Sequence, residues 1–326
     1  MGSSVRAMWV VLRLLVIFLL LLLFSLGFYY FELLLDSRFG TLFSISFAIL
    51  FALPFSVGAL ATFLLAPNCR RSSAIYYVVP ALLVFGILII GGLVLREGVI
   101  CLILLAPLWL MSSYLGAFVV KEIFDRFEKR TGLKCSMLAL APVLILALES
   151  HQPQVPREFQ VVRVIEIEAT PDEIWPHLLS MDDISPNEGR WNLTQNVLGI
   201  PRPHSAVTIS VNQEKIRYAQ WGENITFEEK IVSEKLNTQL GWEFIFPNDS
   251  VQRYTDRHIS PDGPHLKIMT GQYHLSEIGQ HTTRLTLETT YLVRTPVNYY
   301  SALWGQLILG DIQRNILQIA KERSEA

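Results

Sequence analysis

Charge is what this sequence has little of. Of its 326 residues, 17% are Asp, Glu, Lys or Arg, where an ordinary globular chain carries about 25%. The shortfall is uneven: residues 1–150 hold nearly all the long apolar runs, whereas 151–326 read as an ordinary soluble domain. The formal net charge is −2, and no basic stripe marks the second half, which argues against a nucleic-acid partner. Cysteine is scarce too. Cys69, Cys101 and Cys135 all lie in the first half without metal-ligand neighbours and read as small apolar packing residues. No H-x-x-x-H, C-x-x-C or 2-His-carboxylate spacing exists, so no metal is expected. No G-x-G-x-x-G loop is present, and no cofactor is expected. Ser205 and Ser210 lack an elbow motif, and His177, His204, His258, His265 and His274 are scattered. Asp256-Arg257-His258 with Glu229 is an acid–base grouping of a kind that any domain of this size offers, so no catalytic residue is assigned.

What is present in the first half is hydrocarbon. A helix needs about 20 apolar residues to cross a bilayer core, and five segments approach this, at about 14–34, 41–66, 74–95, 99–120 and 135–149. The fifth is short and spans if its flanks snorkel or the bilayer thins. Its alternative is a re-entrant segment. Arg6, Arg13, Arg70, Arg71 and the Lys121–Lys134 loop carry the Lys and Arg excess. By the positive-inside rule these lie in the cytoplasm, and five spans then place the C-terminal domain on the outer side, the periplasm of a bacterium. Glu32, Asp36 and Arg38 are expected to snorkel at the outer end of the first span. Pro54, Pro80, Pro107 and Pro142 fall one to each of the later spans, as packing kinks or as breaks lining a site. Residues 121–134, with Ile123, Phe124 and Phe127 among mixed charges, read as an amphipathic helix at the lipid surface.

The second half begins after Glu149-Ser150-His151-Gln152-Pro153. Val161 to Glu168 alternates as a strand. Thr170 then caps a helix, with Pro171 at its first position and Asp172 and Glu173 at the positive end of its dipole. A polar stretch to Pro203 holds a short helix near Trp191–Leu198. Strands follow at Ala206–Val211, Ile216–Trp221, Ile225–Val232, Leu240–Phe246, His265–Leu275 and Thr283–Leu292. From Val297 the period becomes helical, with Tyr300, Trp304, Leu307, Ile308, Ile312, Ile316 and Ile319 on one stripe. Strands that follow one another without helices predict an antiparallel sheet.

Two stretches carry a family resemblance. Ala169-Thr170-Pro171-Asp172-Glu173-Ile174-Trp175 at the end of the first strand resembles the opening of START-like helix-grip domains. So does Gly279 to Leu285 leading into the last strand, followed by a proline and a long helix ending Ile316-Leu317-Gln318-Ile319-Ala320-Lys321-Glu322-Arg323. Leu198-Gly199-Ile200-Pro201-Arg202, Arg217-Tyr218 and Gly271-Gln272-Tyr273-His274-Leu275 are similar to bacterial membrane proteins bearing a polyketide cyclase/dehydrase and lipid-transport (SRPBCC) domain behind several spans. The resemblance covers roughly 155–325 and implies an α+β helix-grip domain at 155–326, a curved antiparallel sheet wrapped on the C-terminal helix, behind an α-helical membrane bundle at 1–150.

It also implies a cavity between sheet and helix. Strand parity puts Trp242, Phe244, Tyr273, Leu275, Leu287, Thr289 and Tyr291 on the inward face with Trp304 of the helix, while Trp191 and Trp221 fall near loops at its rim. Large aromatics fill cores as readily as they line pockets. Their mixture with Tyr and Thr favours a ligand-binding set comprising Trp191, Trp221, Trp242, Phe244, Tyr273, Leu287, Thr289, Tyr291 and Trp304. The expectation is a membrane-anchored, non-enzymatic protein holding a hydrophobic small molecule or lipid beside the bilayer. Its alternatives are a cyclase- or dehydratase-type enzyme using His258 or a cavity carboxylate, and a structural or signalling module with a filled core.

Overall fold

Apolar length shapes the first part of the chain. The computed structural model describes residues 3–39, 45–69, 74–95, 98–126, 135–149, 154–211, 214–255 and 260–326. It divides into two compact units, Met1–Gln154 and Val155–Ala326. The first unit is helical: α1 Ser3–Phe39, α2 Leu53–Cys69, α3 Ala74–Leu95, α4 Val99–Arg126 and α5 Cys135–Glu149. Four of its helical stretches are long and apolar enough to cross a membrane, Val11–Leu35, Ala48–Leu65, Tyr76–Val94 and Val99–Asp125, and Met137–Glu149 is a shorter apolar helix.

Two features here were not expected. The second apolar segment opens with a π-helical turn, Ala48–Ala52, just ahead of Pro54, whose missing N–H disturbs the hydrogen-bond ladder one turn back. Glu32 is buried instead of snorkelling: it is 2% exposed and accepts a hydrogen bond from the Ser46 hydroxyl. Ser46 Oγ in turn accepts the Ile49 N–H at 3.1 Å. The Glu149 carboxylate takes the N–H groups of Phe47 and Ala48 at 2.7 and 3.2 Å, so two acids tie the start of this segment to α1 and α5. Helix α4 runs on through Lys121 to Arg126; the rest of the expected amphipathic stretch, 127–134, lies outside the described residues.

Small residues set how closely α2 and α4 pack. A methyl on Gly116 would stand 2.1 Å from the Phe55 carbonyl oxygen, and one on Gly58 2.0 Å from that of Ser113. Backbone therefore lies on backbone, the contact that small residues permit between apolar helices.

The second unit is a seven-stranded antiparallel sheet in the order β1-β7-β6-β5-β4-β3-β2, with strands β1 Arg157–Ile167, β2 Pro203–Val211, β3 Glu214–Trp221, β4 Ile225–Lys235, β5 Gln239–Ile245, β6 Leu266–Gly279 and β7 Thr282–Val293. Helix α6 spans Pro171–Leu179, α7 Leu193–Asn196, α8 Ser250–Tyr254 and α9 Asn298–Ser324. An antiparallel sheet closed by a long C-terminal helix is the helix-grip arrangement that the sequence predicts. Every expected strand is present, several longer by a few residues at one or both ends, and α8 is an addition. Thr170 starts α6 as expected, its backbone N–H donating to the Glu173 carboxylate at 2.7 Å.

Helix α9 lies over β1 and β7. Its second half buries Ile312, Leu317, Ile319 and Ala320, and also two amides, Gln313 and Asn315, each 2% exposed or less. Gln313 donates to the Val161 carbonyl and the Thr289 hydroxyl at 3.1 and 2.9 Å. Leu307, expected on the inner stripe, stands 36% exposed. Side chains of α9 also run along the outer margin of β1. Gln306 donates to the Gln160 carbonyl, Lys321 donates to that of Glu166 at 2.8 Å, and the Glu168 N–H donates to Glu325 at 2.7 Å. On β2, the Thr208 N–H is taken by Ser180 Oγ at 2.9 Å, and Met181 bridges Ala206.

Gly116→Leu is expected to cost the first unit about 1–3 kcal/mol or more through overpacking, read as earlier thermal aggregation in detergent. Gly91→Leu is the matched control, since nothing lies within 4 Å of its added Cβ.

Candidate functional site

The inner face of the sheet is built by alternation. On β3 the inward positions are Arg217, Ala219 and Trp221; on β4 they are Ile225, Phe227, Glu229 and Ile231; on β5, Leu240, Trp242 and Phe244. Register places Arg217 directly opposite Glu229 and Glu229 opposite Phe244. Two full charges therefore face inward among aromatics. Arg217 is 4% and Glu229 7% exposed.

The pair is held from several sides. Arg217 Nε donates to the Glu229 carboxylate, and Nη1 donates to the Leu178 carbonyl at the end of α6, one of the carbonyls that a helix C-terminus leaves without a partner. The guanidinium carbon lies 4.5 Å from the centre of the Trp242 ring and 5.8 Å from that of Tyr273, within cation–π range. Trp242 lies across Gly271, its cross-strand partner: a methyl there would come within 2.3 Å of the indole. A bare glycine on β6 therefore seats the ring on which Arg217 stacks. Burial opposes the guanidinium's charge, but Glu229 and Tyr273 outweigh it and hold its pKa above the ordinary value. Burial also pushes the Tyr273 hydroxyl up to about 12.

Away from this pair the face turns aromatic and more open. Phe227 packs edge-on to Trp221 at 5.5 Å, and Phe244 and Phe246 stack at 6.2 Å between ring centres. Phe227 is buried, while Trp221, Phe244 and Phe246 are only half-buried. The first turns of α9 are also incompletely covered: Tyr300 and Trp304 meet edge-on at 6.4 Å, both half-buried.

Of the expected ligand set, Trp242, Tyr273 and Leu287 belong to the main buried cluster with Ile174, Trp175 and Leu317, and Phe244 packs against it. Thr289 is buried beneath Gln313. Tyr291 is fully buried with Val161 and Val293, its hydroxyl donating to the Ala302 carbonyl at 3.2 Å and its ring so close that a methyl on Gly305 would meet it at 2.4 Å. Trp221 and Trp304 are half-buried. Trp191 is apart from these, 66% exposed on a loop fastened to α9 by an Arg190 N–H bond to Asn315 at 2.8 Å and by Glu188 with Arg323 at 2.6 Å. Sequence reasoning missed the pairing of Arg217 with Glu229 and the two amides of α9. The signal for the first was parity: both charges occupy inward positions of amphipathic strands. His258 lies outside the described residues. Among those described, no group of three His, Cys, Asp or Glu is placed to hold a metal ion. The indole N–H groups of Trp175 and Trp242 and Oε1 of Gln313 are buried without a hydrogen-bond partner.

No family model and no curated protein matches this chain. Solved structures similar to it include the Zhui aromatase/cyclase from Streptomyces sp. R1128, 12% identical over 51% of this chain and 94% of that one, TM-score 0.33. Norcoclaurine synthase from Thalictrum flavum is 13% identical over 53% and 90%, TM-score 0.32. A START superfamily protein from Mycobacterium smegmatis is 15% identical over 51% and 97%, TM-score 0.29.

Removing one partner of the buried pair leaves a charge without its counter-ion, at a cost of about 3–5 kcal/mol. Glu229→Gln is expected to lose that much in chemical denaturation of the full chain, and the Arg217→Met/Glu229→Leu double variant much less. Tyr273 makes a separate mark on alkaline stability. A pKa raised on folding means the native state holds the proton longer, so its contribution is intact below pH 10 and lost as pH rises toward about 12. Tyr273→Phe should flatten that alkaline fall in a series of thermal melts.

Proposed function

We propose that residues 155–326 bind a hydrophobic small molecule or lipid between the inner face of the sheet and the first turns of α9, and that residues 1–150 anchor this domain in a bilayer, with the N-terminus cytoplasmic and the domain periplasmic. One observation carries the reading: the half-buried aromatics Trp221, Phe244 and Phe246 lie on the same sheet face as a buried Arg217–Glu229 pair, and Tyr300 and Trp304 are likewise half-buried at the start of α9. An apolar wall with a few convergent polar groups is how small-molecule sites are built. Covering aromatic surface supplies affinity at about 25 cal/mol per Å², and the charged pair orients a polar end. The unpartnered Trp242 N–H beside that pair adds a donor that such an end satisfies.

A cyclase- or dehydratase-type reaction on a hydrophobic substrate is the second reading, favoured by the buried Glu229 carboxylate. Its engagement with Arg217 suits positioning better than proton transfer, which supports binding first.

Mass spectrometry of detergent-purified full chain should find a retained amphipathic molecule, depleted severalfold in the Phe244→Ala and Trp304→Ala variants. A wild-type protein that retains nothing and takes up no fluorescent fatty acid would sink the binding reading and favour a filled, structural core. Retained material that changes mass on incubation would move the weight to catalysis.

A further inference from the structure

Several large apolar side chains of the second unit lie outside its core, on stretches that hydrogen bonds tie to one another. On α9, Tyr299, Leu303 and Leu307 follow at intervals of four and are 66%, 68% and 36% exposed, which puts them on one ridge of the helix. The next residue of that ridge, Asp311, accepts hydrogen bonds from the Thr194 N–H and hydroxyl at 3.4 and 3.2 Å. This joins α7, where Leu193 is 38% exposed and the flanking Trp191 and Val197 are 66% and 58% exposed. At the other end of the strip Arg157 donates to the Tyr299 hydroxyl at 2.6 Å, and Asn298 donates to the carbonyl of Val155 at 2.9 Å. Val155 is itself 66% exposed. Single exposed apolar residues are ordinary, but several gathered on elements tied together in this way mark a strip that meets something apolar.

We propose that this strip is a lipid-docking surface: the Tyr299-Leu303-Leu307 ridge and the Trp191-Leu193-Val197 segment enter the headgroup boundary of a bilayer. Three features favour lipid over a protein partner. The composition is that of interfacial anchors, aromatic and aliphatic side chains in the pattern that lies at the acyl boundary. Exposed Arg157 and Arg190 flank the strip, guanidinium groups suited to anionic headgroups, while Arg314 is paired with Asp311 at 3.0 Å. The strip begins at Val155, six residues after Glu149 ends the last apolar helix. A tether of that length reaches about 20 Å at most, so a lipid surface is the partner at highest local concentration. This inference rests on the reading that residues 1–150 are embedded in a bilayer. It adds that docking brings the half-exposed first turns of α9, with Trp304 and Tyr300, to the lipid from which a hydrophobic ligand would enter.

The test uses full chain with Cys69→Ser, Cys101→Ser and Cys135→Ser, reconstituted in vesicles of three parts phosphatidylcholine to one part phosphatidylglycerol. Spin labels are attached singly at Leu303→Cys, Val197→Cys, Leu236→Cys and Leu20→Cys. Leu236 is 71% exposed on the turn after β4, and Leu20 is 56% exposed in the first apolar helix. Labels at 303 and 197 are expected to collide severalfold more with oxygen than with a water-soluble nickel complex, with the reverse at 236. Leu307→Glu should shift the label at 197 back toward water. Labels at 303 and 197 that behave like the one at 236 overturn the docking surface, provided the label at 20 reads hydrocarbon. Exclusion of both quenchers at 303 and 197 means that protein covers the strip and also overturns it. A label at 20 that reads water refutes the membrane reading, and the docking surface falls with it.

Discussion

Helix α9 lies as close to the sheet as it does because residue 305 has no side chain. Tyr291 on β7 fills the place that a Cβ would take, with its hydroxyl turned to the carbonyl of Ala302. That contact fixes the distance between helix and sheet at the N-terminal end of α9. Gln313, reaching Thr289 and the Val161 carbonyl, fixes it again about two turns on. Between these points the helix is held over β1 and β7. The inner face of β3 to β5 keeps its half-buried aromatics, and the proposed site follows from where the helix is pinned.

A charged pair among those aromatics has a stability cost that an apolar pair would avoid. Its surroundings limit the cost: a helix C-terminal carbonyl, a carboxylate and an indole face together occupy the guanidinium. Backbone pairing of β3 with β4 and of β4 with β5 sets the register there. In the proposed site the pair supplies polarity to an otherwise apolar surface.

The architecture was legible in the sequence because period-two and period-3.6 patterns differ and because Thr170-Pro171 and Arg294-Thr295-Pro296 punctuate them. Inward parity correctly grouped Trp242, Tyr273, Leu287, Thr289 and Tyr291. What stayed hidden depends on contacts between residues far apart in the chain. Trp191 looked like a rim residue, but Asn315 and Arg323, more than a hundred positions away, fasten its loop to α9. Glu32 looked like a residue that would reach for water, because its partner Ser46 lies fourteen residues on, just ahead of the second apolar helix. Gln313 and Asn315 fall outside the apolar stripe of their helix, which is narrower than its buried face.

The side chains along the outer margin of β1 have a consequence for association. An edge strand with free carbonyls and N–H groups invites a strand from another molecule. Here Gln306, Lys321 and Glu325 already occupy the outward groups of Gln160, Glu166 and Glu168, and Ser180 and Met181 do the same for β2. Extension of the sheet by a second chain would first have to displace these bonds. Crowding of many copies is therefore less prone to end in edge-to-edge aggregation.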